Sequence, residues 1–322
     1  MLPGQWLELQ NTKIRSVLPA VAQTGFPPYI IQAWNGGTCD TARSRLLVWG
    51  GGHNDYWGNE MYALDLPSLT MKRIVEPSSV TLQSSNVSSL PDGTPTSRHT
   101  YGGLTYIAHQ DRFFAVNGAL TPDGGGEPAT WTYDFALSKW TLRVANSPMS
   151  TRYGTMAAYD SVSKLVYVKD QFDFYSYAPD TNTYTKLNTS TQNADYHMQA
   201  AIDTKRRKFV MIGFGSIKVI DLNTKVMTTL STTNTPSAVS AASPGLGYDP
   251  IADRIVMWSG GGSVYALNMD TNAWSQIAIS GGPTASPPEQ GTFGRWAYIP
   301  AYRVFALVND IDQNAWVFRA AA

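Results

Sequence analysis

The chain of 322 residues contains one cysteine, Cys39, which excludes an internal disulfide and any cysteine-based zinc site. Cys39 reads as a small buried residue beside a strand. Excess charge of either sign is also missing. Lys+Arg and Asp+Glu each total 24, giving a net charge of zero, whereas a nucleic-acid surface would show a basic excess. No apolar run approaches the ~18 residues needed to cross a bilayer. The N-terminus lacks the basic-then-apolar pattern of a leader peptide. P-loop, nucleophile-elbow and His-Glu metal motifs are absent from the sequence, so no cofactor, metal or catalytic residue is assigned. Helical periodicity is almost wholly lacking.

What is present is a run of short strands. Hydrophobic residues make up 43% and aromatics 12%, enough for a packed core. β-Branched and aromatic runs alternate with Gly, Pro, Asn, Asp and Ser clusters. A hairpin recurs six times: an acid or polar turn, a basic residue, then an apolar strand. Examples are Asp40 to Arg45-Leu46-Leu47-Val48, Asp160 to Lys164-Leu165-Val166-Tyr167, and Asp249 to Arg254-Ile255-Val256-Met257. The turn acids read as hairpin chemistry, since Asp bonds its own backbone in turns. A second element is an aromatic or Met with an aliphatic close behind. It appears as Met71 to Ile74, Trp140 to Leu142, Tyr184 to Leu187, Met227 to Leu230 and Trp274 to Ile277. The sixth copy is Trp6-Leu7-Glu8-Leu9, at the opposite end of the chain from the unit that lacks it, which stops at Ala315-Trp316-Val317-Phe318-Arg319.

A linear array has no reason to begin with its own last strand, but a closed ring does, because the pairing removes two open sheet edges. A period of about 45 residues with four strands per unit therefore predicts an all-β, six-bladed β-propeller of four-stranded antiparallel blades. It is read as a single domain over 1–322, closed by the N-terminal strand. The expected blades are 30–75, 98–144, 152–188, 196–231, 240–278, and 291–319 joined by 4–10. Residues 77–95 and 118–128 are too long for simple connections and are expected to be exposed excursions.

Val48-Trp49-Gly50-Gly51-Gly52 with Met61-Tyr62-Ala63-Leu64-Asp65-Leu66 resembles the glycine, Tyr and Trp pattern of kelch repeats. Met257-Trp258-Ser259-Gly260-Gly261-Gly262 with Tyr265 and Trp274 is a second such copy. Ser97-Arg98-His99-Thr100-Tyr101 is similar to the first strand of these repeats. The glycine pair shrinks at Asn117-Gly118 and is lost at Lys169-Asp170 and Val308-Asn309. The Trp57-Gly58-Asn59-Glu60 version is similar to bacterial and phage-encoded kelch-like proteins. That resemblance implies a virion or tail component, virion-borne or extracellular, whose partner is a host surface glycan or another structural protein. Homo-oligomerisation stays open. A fold, however, does not fix a function.

Connectivity alone places two loop classes at one end of the ring: those entering the first strand of each blade and those joining strands two and three. Arg98, His99, Arg152, Tyr153, Tyr196, His197, Arg295 and Trp296 are thereby expected near one mouth of the central channel, with His53, Asp55, Tyr56 and Trp57. Asp170, Asp173, Asp310 and Asp312 join them. Aromatic faces beside Arg, Asp and His side chains suit a sugar ligand. Arginines at such positions equally serve neighbouring carbonyls.

The expected function is a non-catalytic binding and assembly module. The alternative is a carbohydrate-active enzyme, either a hydrolase or one like the kelch-type sialic-acid mutarotases, using the Arg, His and carboxylate rim. A protein–protein adaptor is the third reading. The copper oxidases among kelch-type propellers need a cysteine beside a reactive tyrosine, and Cys39 falls in the wrong turn. Alternate acids at Asp310 and Asp312 fall short of a calcium loop.

Overall fold

The computed structural model describes residues 1–84, 86–188, 193–284 and 287–321. Six four-stranded antiparallel sheets form a β-propeller ring. The blades start from the inner strands Gly36–Asp40, Leu104–Ile107, Met156–Asp160, Gln199–Asp203, Gly245–Asp249 and Trp296–Ile299. Each inner strand contacts the next, and the sixth contacts the first, so the ring is closed around an axis. Among the described residues no helix is long and apolar enough to cross a membrane.

Turn chemistry sets this repeat locally. Four inner strands end in an Asp that is at most 1% exposed: Asp40, Asp160, Asp203 and Asp249. Each carboxylate accepts backbone N–H groups of the hairpin that follows, as Asp40 does from Ala42 and Arg43, and Asp249 from Ile251 and Ala252. The residue just before the second strand is then left-handed in all six blades. These residues are Ser44, Asp111, Lys164, Arg207, Asp253 and Arg303, with φ of 52–57°. In the four blades with that Asp, a side chain that bonds the turn thus offsets the cost of the non-glycine left-handed residue.

The second strands carry the core. Leu46, Leu47, Val48 and Trp49 are all fully buried, because both faces of a blade pack against neighbouring blades. Hairpins of adjacent blades are clamped by bidentate pairs: Arg43 on Asp111, Arg207 on Asp160, and Arg206 on Asp253. Cys39 lies within the first inner strand rather than in a turn, and burial pushes its thiol pKa up.

The sixth blade is completed from the N-terminus. Gln5–Leu9 pairs antiparallel with Ala315–Arg319 in the register Leu7↔Val317. Trp6 packs on Trp296 and Phe318 with centroids 5.6 and 4.9 Å away, and its indole N–H donates to Gly262 O at 3.1 Å. Thr12 then locks the seam, its hydroxyl accepting from Ala315 N at 2.8 Å.

Two expectations change. Arg98–His99 does not begin the second blade. It pairs with Ala119–Leu120 as a separate ribbon, and the blade starts at Leu104. The cause is local: Tyr101 turns the chain at φ +49°, and a Cβ on Gly103 would stand 2.4 Å from Val116 O. The segment 77–95, of which Ser85 lies outside the described residues, is only partly exposed. Leu90 is 4% exposed, and the Asn59 carboxamide bonds Ser78, Thr94 and Pro95. Ser88 reaches Glu127, tying this excursion to the segment 118–128, which is not an exposed excursion either, since Ala119, Leu120, Thr121 and Glu127 are buried.

Trp6→Ala should lower stability by about 3 kcal/mol, the lower end for a large aromatic because Trp6 is half-buried. Melting followed by circular dichroism measures this. A fall of only a degree or two would remove the seam strand from the fold's essential contacts.

Candidate functional site

The loops that enter the inner strands converge on one mouth of the channel. Trp34, Tyr101, Tyr196 and Phe293 each lie two or three residues before the inner strand of blades 1, 2, 4 and 6. Tyr101, Phe293 and Ala119 form a buried cluster, with Trp34 and Tyr196 packed against it. Residues from blades on opposite sides of the ring can meet only over the axis. This aromatic cluster therefore caps the channel.

Other rings extend the cap outward. His99 lies 5.1 Å from Trp34, 5.6 Å from His53 and 6.3 Å from Tyr101, centroid to centroid. Tyr153 meets Tyr101 edge-on at 6.4 Å. Tyr196 contacts His197, which stacks on Phe214 at 4.9 Å. Tyr153, Phe172 and Phe214 present 39%, 46% and 58% of their surface to solvent, so this end of the ring offers open aromatic faces. No protein-family model and no curated protein matches the chain. The site must be read from its own chemistry.

The arginines face away from it. Arg295 is fully buried and donates to three carbonyls: Asn35 at 2.9 Å, Val308 at 3.1 Å and Gly291 at 2.7 Å. Burial pushes its pKa down to about 9, the nearby Asp310 opposing. Arg98 is equally buried. It faces Glu127 at 3.4 Å, donates to Thr96 O and lies 5.5 Å from the Trp49 ring centre. Arg152 is half-buried and donates to Ser147 O and Met149 O at 3.1 and 2.6 Å. Trp296 is 1% exposed and stacks on Phe305 inside the interface of blades 5 and 6, away from the mouth. Tyr56 is 1% exposed and donates to Glu60, which Tyr62 also engages, each at 2.6 Å. Burial raises the Glu60 pKa.

His53, Asp55, His99, Tyr153, Tyr196 and His197 remain at the mouth, whereas Trp57 is tied by its backbone N–H to Thr24 O. His99 Nε2 is 2.6 Å from Asp55 Oδ2, and His197 Nδ1 is 3.0 Å from Asp195 Oδ1. The Tyr153 hydroxyl donates to Gly124 O at 2.7 Å, drawing the segment 118–128 over the rim. A Cβ on Gly124 would stand 2.3 Å from the His53 ring, so that approach requires glycine. The carboxylates are committed. Asp170 accepts N–H groups from Thr151, Phe172 and Asp173, and Asp173 pairs with Lys186 at 2.9 Å. Asp310 accepts from Asp312 N, and Asp312 pairs with Arg15. Among the described residues no three His, Cys, Asp or Glu side chains gather as a metal site.

Sequence reasoning passed over Trp34, Phe293 and Phe214. The first two share with Tyr196 a place just ahead of an inner strand, and that shared position was the available signal.

Two tests follow. In Arg295→Leu, each carbonyl left unpaired costs about 1–3 kcal/mol, so calorimetric melting should fall sharply. Desolvation holds the His99 pKa below 6.5 in the folded state, with Asp55 opposing. Its contribution to stability is therefore complete above pH 6.5 and is lost as pH falls towards the folded pKa. His99→Gln should remove that part of the acid destabilisation. An imidazole titration by NMR at or above the ordinary value would refute this.

Proposed function

We propose that the protein is a non-catalytic binding module that captures a glycan on the aromatic face over its channel mouth. The observation that carries this reading is the cap itself, rings from four blades meeting over the axis, bordered by the exposed Tyr153, Phe172 and Phe214. Sugar rings stack on such faces, while edge groups such as Asp55, His53 and His197 suit hydroxyls. The inward-facing arginines favour a neutral sugar over an acidic one. The resemblance of the Trp57-Gly58-Asn59-Glu60 segment to phage-encoded kelch-like proteins supports a setting on a virion or tail, with a host surface glycan as target.

A second reading, a carbohydrate-active enzyme, draws on one feature: the His99–Asp55 contact of 2.6 Å, a pairing able to serve as a general base. Asp170 and Asp173 are held by turn N–H groups and Lys186, which weakens a two-carboxylate hydrolase.

A glycan array should show capture without product. Tyr153→Ala and Phe214→Ala should each weaken it about tenfold, or 1.4 kcal/mol, with little change in melting. Wild-type capture by both variants would sink the aromatic-face reading. Product formation abolished by Asp55→Asn would replace it with the enzyme.

A further inference from the structure

Below the aromatic cap, the axis of the ring holds a cavity of about 370 Å³. All six inner strands line it, each supplying a small residue to its wall: Thr38, Thr105, Ala158, Ala201, Gly247 and Ala297. At the loop end its wall reaches Gly294, beside Phe293 of the aromatic cluster. At the hairpin end it reaches Ser161, Thr204, Pro250 and Pro300, so it opens on the face opposite the glycan site. That volume lies within the usual range for small-molecule sites.

The cavity has one polar head near its closed end. Gln199, the first residue of its inner strand, lines the cavity and is only 6% exposed. Its Oε1 has no hydrogen-bond partner among the described residues, and its Nε2 makes only a long 3.5 Å contact to Ala200 O. Whichever way the amide is turned, a buried donor and acceptor pair is left almost unused. An unpaired buried polar group costs free energy that a ligand can recover.

Charge narrows the ligand further. Among the described residues no ionisable acid or base apart from phenols and Cys39 lines the bore. The acids that end the inner strands, Asp40, Asp160, Asp203 and Asp249, are buried in their own turns. A charged guest would lose its hydration without gaining a counter-charge. At the open end, the Tyr159 hydroxyl is held by His109 at 2.8 Å and that of Tyr248 by Asp253 at 2.9 Å, which fixes the opening.

We propose that this bore is a second binding site, entered from the hairpin face, for a small uncharged molecule bearing an amide or similar donor–acceptor head that pairs with Gln199. It is independent of the glycan reading and is entered from the other end of the axis.

Fluorine NMR with trifluoroacetamide tests it, with trifluoroacetate as a charged probe of nearly the same shape. The amide should show saturable broadening and shift with the wild-type protein, and the carboxylate should not. Gln199→Leu and Gln199→Met should each weaken amide binding at least tenfold. Tyr153→Ala, at the opposite end, should leave it unchanged. The proposal is overturned if the amide shows no saturable effect, if the carboxylate binds equally, or if either folded Gln199 variant binds like wild type. Because the two probes are compared on the wild-type protein, the test stands even if a variant fails to fold.

Discussion

The pairing of Gln5–Leu9 with Ala315–Arg319 turns a row of six sheets into a ring, and most other features depend on it. Only in a closed ring do the first and sixth inner strands touch, and only then do rings from blades 1, 2, 4 and 6 meet over one axis. The seam has its own chemistry. Trp6 fills the space beside Trp296 and Phe318, and Thr12 bonds the last strand where the first one ends. Pairing with Gln5–Leu9 also covers the edge of Ala315–Arg319.

The two ends of the ring do different work. The hairpin end is built from short turns capped by their own Asp side chains and stapled between blades by Arg43, Arg206 and Arg207. Rigid and charged outside, it surrounds an uncharged bore. The loop end carries the long segments, 77–95 and 118–128 among them, and closes over the axis with aromatic rings. Loops held by so stiff a frame can present side chains at fixed positions, and binding sites need that.

The candidate site was legible only in part. Strand order places Arg98, Arg152 and Arg295 at the loop end, but it says nothing of the direction each side chain takes. Arg98 and Arg295 turn into the core and Arg152 folds back on two carbonyls, because loop carbonyls that enter a blade without strand partners need donors. Trp296 begins its strand and therefore packs between blades rather than facing the mouth. Tyr153, Tyr196 and His197, in loops rather than strands, stay at the mouth.

By itself the sequence determined the strand repeat, the hairpin turns, the blade count and the displaced last strand. All of these rest on interactions within a few residues or on a pattern that recurs along the chain. The tertiary structure alone decided that Trp34, Tyr101, Tyr196 and Phe293 share one cluster, that Glu127 receives Arg98 and Ser88, and that Gln199 faces the bore. Those contacts join residues far apart in the chain or turn on where a side chain points once the blades are packed. Periodicity carries no record of them, since each depends on the angle at which six blades converge on the axis.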